Sequence, residues 1–198
     1  MKNIPINLLI LITLLTINAN GAEKYILHCP KPLLEKSLEI ALAQVGTIEK
    51  TGRNDGDVTK YLYSVGLPEG FPYCAAGQYY CLHKAAEYLR MDLKLIPIKR
   101  TGLANGMFND AKLKGRNAKY FAVKHDLIVW RARSGCSGHI ERIFTIGYAG
   151  WVRTIGFNSS RTINNIRKQG VFIQKRNIYH SIGKLIIRGL IGFSTEGN

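Results

Sequence analysis

The chain has 198 residues, with 28 Lys and Arg against 13 Asp and Glu, a formal net charge of +15. This length buries a real core without disulfide staples, and the positive excess favours polyanionic partners. Cys29, Cys74, Cys81 and Cys136 form no Cys-x-x-Cys pair and the five histidines are scattered, which argues against a zinc site.

Lys2, the apolar run from Leu8 to Ile17 and the small residues around Ala19 and Gly21 have the layout of a secretory signal peptide. The run is too short to span a bilayer, which takes about 20 apolar residues. Residues 1–21 are therefore expected to be removed, leaving 22–198 as a single exported domain in the periplasm or outside the cell. Export sets nucleic acid aside as the polyanion and leaves anionic cell-wall polymers or membrane surfaces. No membrane anchor is expected after cleavage, because no other segment is long and apolar enough. Cys29 lacks the small residues that precede a lipidated cysteine.

The apolar spacing of Leu34, Leu38, Ala41 and Val45 predicts a helix from Lys31 to Val45, opened by Pro32 and closed by Gly46. Asp57 is expected to cap a short helix through Tyr61, Leu62 and Val65. A loop punctuated by Pro68, Gly70 and Pro72 leads to a helix from Cys74 to about Leu89, and a weaker helix runs from Thr101 to Lys114. The period then changes. Leu127–Trp130 reads as a buried strand. His139–Ile146 and Trp151–Asn158 read as a hairpin about Gly147–Gly150, and Gly170–Lys175 and Leu185–Ile187 as further strands. Helices first and strands later indicate an α+β domain with helices packed on an antiparallel sheet.

Cys74 would stand at a helix start, where unpaired N–H groups and the helix dipole favour the nucleophilic thiolate. Its alternatives are a core position or a disulfide to Cys29, Cys81 or Cys136. His139, after Ser137-Gly138 at the head of a strand, is the best-placed base.

The stretch from Gly66 to Ala76, with Pro72-Tyr73-Cys74-Ala75 at its centre, resembles the nucleophile segment of a branch of the CHAP family, the cysteine, histidine-dependent amidohydrolases/peptidases. That segment reads Gly-x-Pro-Trp-Cys-Ala and carries a second cysteine where Cys81 stands. Gly52-Arg53-Asn54-Asp55-Gly56 resembles the branch's Gly-x-Asn-x-Gly entry. Asp126–Trp130 resembles its Gly-Asp-Ile-Val-Val-Phe strand, and Ser137-Gly138-His139-Ile140 its Ser-Gly-His-Val strand. The likeness runs from Leu34 to Phe193. It implies a papain-like fold and an amidase or endopeptidase that acts on peptidoglycan as a monomer, without cofactor, through Cys74, His139 and an imidazole-orienting Asn158. A wall-binding module that has lost the chemistry, or a thiol acyltransferase, would keep the same fold.

The chain departs from the family pattern in three places. Tyr73 replaces the Trp, His125 replaces a Gly, and Gly156-Phe157-Asn158 stands where Glu-Gly-Asn is usual. The family's carboxylate is thus missing from its place. A hairpin turning symmetrically about Tyr148-Ala149 would set His139 opposite Asn158 and Glu141 opposite Gly156. Glu141 would then bring a carboxylate into the same space from the neighbouring strand. The alternative is that Glu141 is an ordinary strand residue paired with Arg153 or Arg142.

Overall fold

A computed structural model of the chain describes residues 22–195. The expected signal peptide lies outside them. Among the described residues, four α-helices follow the first strand and six further strands follow them, an α+β arrangement. The strands are β1 (Glu23–His28), β2 (Arg116–Ala118), β3 (Leu127–Arg131), β4 (Gly138–Ile146), β5 (Trp151–Ile163), β6 (Ile166–Asn177) and β7 (Ile186–Ser194). The helices are α1 (Lys31–Ala43), α2 (Thr59–Ser64), α3 (Cys74–Leu89) and α4 (Ala104–Lys114). The sheet order is β2-β1-β7-β3-β4-β5-β6.

The sheet is not wholly antiparallel, because β1 runs parallel to β7 from Glu23 opposite Gly189 to His28 opposite Ser194. β1 and β2 were not legible as strands. β1 is buried from both sides, Tyr25 and Leu27 in the apolar core and Lys24 in an ion pair with Asp126 at 2.7 Å, so no alternation marks it. Gly189 and Gly192 interrupt the apolar run of β7 and read as breakers, yet they admit its neighbours. A Cβ at Gly189 would meet the Glu23 carbonyl oxygen at 2.2 Å, and one at Gly192 would meet Lys24 Cε at 2.6 Å.

α3 lies in the middle of the molecule. Its small residues Ala75, Ala76, Gly77, Ala85 and Ala86 are buried, as are Cys81 and Leu82. They let the helix come close to its neighbours, and a Cβ at Gly77 would stand 2.2 Å from the Phe157 ring of β5. Leu34, Leu38 and Ala41 turn α1 inward at helical spacing. The short helix α2 has no side-chain cap, which corrects the reading of Asp57. The Asp55 carboxylate instead accepts hydrogen bonds from Thr51 N and Oγ1 and closes the turn before it.

β5 and β6 run on past the expected ends into a polar hairpin. It closes at Asn164-Asn165, both at positive φ, and its outer half is solvated on both faces, which is why the sequence reads as loop. On the sheet face carrying Ile128, Trp130, Ile143, Ile187 and Leu190, the side chains of Tyr120, Ala122, Ile182 and Leu185 form the cover.

Candidate active site

Cys74 is the first residue of α3, where the backbone N–H has no partner within the helix. The loop before it is held by a buried carboxylate. Glu49 accepts hydrogen bonds from the Tyr73 hydroxyl at 3.0 Å and from Asn54 N at 2.9 Å. Asn54, at φ 59°, ties this turn to Gly70 in both directions, donating Nδ2 to its carbonyl and accepting its N–H. Tyr73 is fully buried against Tyr61 and Glu49, so the residue before the thiol has one available position.

His139 is the second residue of β4, and its side chain is 12% exposed. Its Nε2 lies 2.9 Å from Glu141 Oε1. The Cys74 thiol bears on the same imidazole and favours its charged form. Burial by itself would push the imidazole pKa down. Cys74 and Glu141 outweigh it and raise the value to about 10.

Glu141 has no exposed surface, and four hydrogen bonds converge on its carboxylate. Besides His139, Thr154 Oγ1 donates to Oε2 at 2.6 Å, while Arg176 donates Nε to Oε2 at 2.9 Å and Nη2 to Oε1 at 2.7 Å. Burial opposes the charged form, but the bonds from His139 and Arg176 prevail and hold the pKa down at about 2. A two-pronged arginine–carboxylate pair is shorter and stronger than a neutral hydrogen bond and fixes the geometry as well.

Glu141 does stand opposite Gly156 in the register, though not through the symmetric turn expected. The connection is a three-residue loop, Tyr148–Gly150, with Ala149 and Gly150 at positive φ. A bulge between Ile143 and Thr145 then shifts the pairing by one and restores the alignment. Gly156 is what makes room, since a Cβ there would meet Glu141 Oε1 at 2.8 Å.

Asn158 is not where the symmetric ladder would put it. β5 bulges between Gly156 and Ser159, and Asn158 takes φ 52°. Its Nδ2 donates to Asn54 Oδ1, with Glu49 Oε1 at 3.5 Å, rather than to His139. Asn158 therefore corrects from an imidazole-orienting residue to a brace on the loop that precedes Cys74. It still lines, with His139, Ser160, Arg167, Gln174 and Arg176, a cavity of about 360 Å³.

Thr154, Arg176 and Glu49 were missed as site residues. A buried carboxylate demands a cation, and alternation along β5 and β6 puts Thr154 and Arg176 on the Glu141 face. That signal becomes usable only once the register is known.

All four cysteines are free thiols. Cys74 is 3% exposed. Burial pushes Cys29 and Cys81 up to about 12, so neither is a nucleophile near neutral pH. Among the described residues, no cluster of three or more His, Cys, Asp or Glu side chains could hold a metal ion. No family model, curated protein or solved structure matches the chain.

Proposed function

We propose that the protein is an exported cysteine hydrolase of the CHAP type, with a papain-like fold, that cleaves peptide or amide bonds of bacterial peptidoglycan. The observation that carries this reading is the pairing of His139 with the buried Glu141 at 2.9 Å, with Cys74 at a helix head acting on the same imidazole. A thiol, a base and a group that fixes the base are the parts nucleophilic catalysis needs. The wall as substrate is supported by the ordered Cys and His motifs and by the basic charge.

Glu141 occupies Nε2, so Nδ1 of His139 is the nitrogen left for the thiol proton. The thiolate attacks the scissile carbonyl carbon, and the oxyanion takes the Cys74 backbone N–H. One such donor contributes about 3–4 kcal/mol. His139 then protonates the leaving amine as the C–N bond breaks, giving a thioester. Water, deprotonated by His139, attacks the thioester, releases the carboxylate and returns the proton to sulfur. Glu141 stays ionised throughout and stabilises the imidazolium.

The test is digestion of purified peptidoglycan by the wild type and by Cys74→Ala, with new ends identified by mass spectrometry. New amine and carboxyl ends from the wild type alone are expected. Their absence, or equal release by Cys74→Ala, overturns the reading.

A further inference from the structure

On the edge of the sheet formed by β4, β5 and β6 lies a second cavity, of about 570 Å³, that the chemistry above does not use. Ile146, Trp151 and Ile173 give it an apolar wall, and Arg153, Arg161 and Lys175 give it charge. No acidic residue lines it. We propose that this groove binds an anionic glycan polymer, a sugar ring resting on Trp151 and the acidic groups running between the three cations.

The strand register makes the charge conspicuous. Arg153 stands directly opposite Lys175, and Arg161 opposite Lys168. Like charges facing each other across a ladder destabilise it. None of the four forms an ion pair among the described residues, although Lys84, Lys112 and Lys124 elsewhere on the surface do. A ligand carrying negative groups in the groove relieves the Arg153–Lys175 pair and meets Arg161 as well.

The aromatic wall narrows the ligand class. Trp151 is 40% exposed, and Lys175 Nζ lies 4.8 Å from its ring centroid. A flat apolar ring flanked by a cation suits a pyranose bearing a carboxylate or phosphate, whose C–H face packs on the ring while its charge meets the ammonium. Alternation along β5 and β6 sets Arg153 and Lys175 on the sheet face opposite Glu141 and Arg176, so the groove is a site separate from the cavity at His139. The choice of a glycan rests on the wall-hydrolase reading, whereas the anion affinity stands without it.

Binding is measured with the Cys74→Ala protein, so that hydrolysis is not required. The probes are polygalacturonate, polyglutamate, neutral dextran and single-stranded DNA, each titrated at two salt concentrations. Polygalacturonate should bind in a salt-sensitive way and dextran should not. Arg153→Gln with Lys175→Gln should weaken polygalacturonate about fivefold or more, two exposed contacts together. Lys60→Gln with Lys99→Gln, which removes the same charge elsewhere, should leave affinity near the starting value. Trp151→Ala should weaken polygalacturonate and spare polyglutamate. The proposal fails if the control pair matters as much as the groove pair, if Trp151→Ala changes nothing, or if DNA binds more tightly than polygalacturonate through the same residues. A failed peptidoglycan digest alongside intact groove binding would overturn the hydrolase and leave the groove.

Discussion

At the scale of single residues, the site depends on one carboxylate and the space left for it. Glu141→Gln keeps the shape and removes the charge that supports the imidazolium. On the proposed hydrolase function, peptidoglycan turnover should fall about 10–100-fold and the alkaline limb of the pH profile should move toward neutrality by about one unit or more, as expected when a paired charge is lost. An unchanged profile in a rate-against-pH titration would remove Glu141 from the mechanism. Gly156→Ala attacks the same group sterically, because its Cβ would press on Glu141 Oε1 at 2.8 Å. Overpacking of this kind costs about 1–3 kcal/mol, read as a lower urea midpoint with reduced turnover. The thiol has its own readout: iodoacetamide should label Cys74 at neutral pH and leave Cys29 and Cys81, which burial pushes up to about 12, unmodified in the folded protein. The places of Cys74 at a helix head and His139 at the start of a strand were legible in the sequence because each sits in a local motif. Arg176 and Thr154 were not, because only the register of three strands brings them to Glu141. Asn158 was misplaced for a related reason, since nothing in the chain's pattern announces the bulge that turns it toward Asn54.

At the scale of elements, α3 could be read almost to the residue, from Cys74 to Leu89, because the loop of Pro68, Gly70 and Pro72 leads into a run rich in Ala, Tyr and Leu that only Gly77 interrupts. Its seat on the sheet was not legible, since it depends on Gly77 meeting Phe157, far away in the chain. Gly77→Ala would set a methyl group 2.2 Å from that ring, and a loss of about 1–3 kcal/mol should appear in denaturant unfolding. β1 offers a comparable test. Lys24 and Asp126 pair at 2.7 Å with 2% and 0% of their side chains exposed, and Lys24 also donates to the Phe121 carbonyl. Lys24→Met would strand a buried carboxylate, at a cost of about 3–5 kcal/mol. Burial already raises the Asp126 pKa to about 6, so the variant should recover part of its stability as the pH is lowered.

At the scale of the whole molecule, the coupled pair shapes the pH range over which the fold is most stable. Glu141 is depressed from its ordinary 4.5 to about 2, so its contribution is complete above 4.5 and lost as the pH falls through 2. His139 is raised from 6.5 to about 10, so its contribution is complete below 6.5 and lost as the pH rises through 10. Thermal melts should therefore be highest between about pH 5 and 6.5, with both limbs flattened in Glu141→Gln.

The facing of Glu141 and Gly156 also bears on how such a protein can change by descent. Exchanging the two residues would deliver a carboxylate to the same volume from the other strand. Neither single step between the two arrangements is neutral. Glu141→Gly taken first leaves His139 and Arg176 without their anion. Gly156→Glu taken first crowds two carboxylates into space that has no room for one methyl group. The double exchange, Glu141→Gly with Gly156→Glu, should therefore retain more activity than either single change. Lineages holding one arrangement would be separated from those holding the other by a mutational valley rather than a slope.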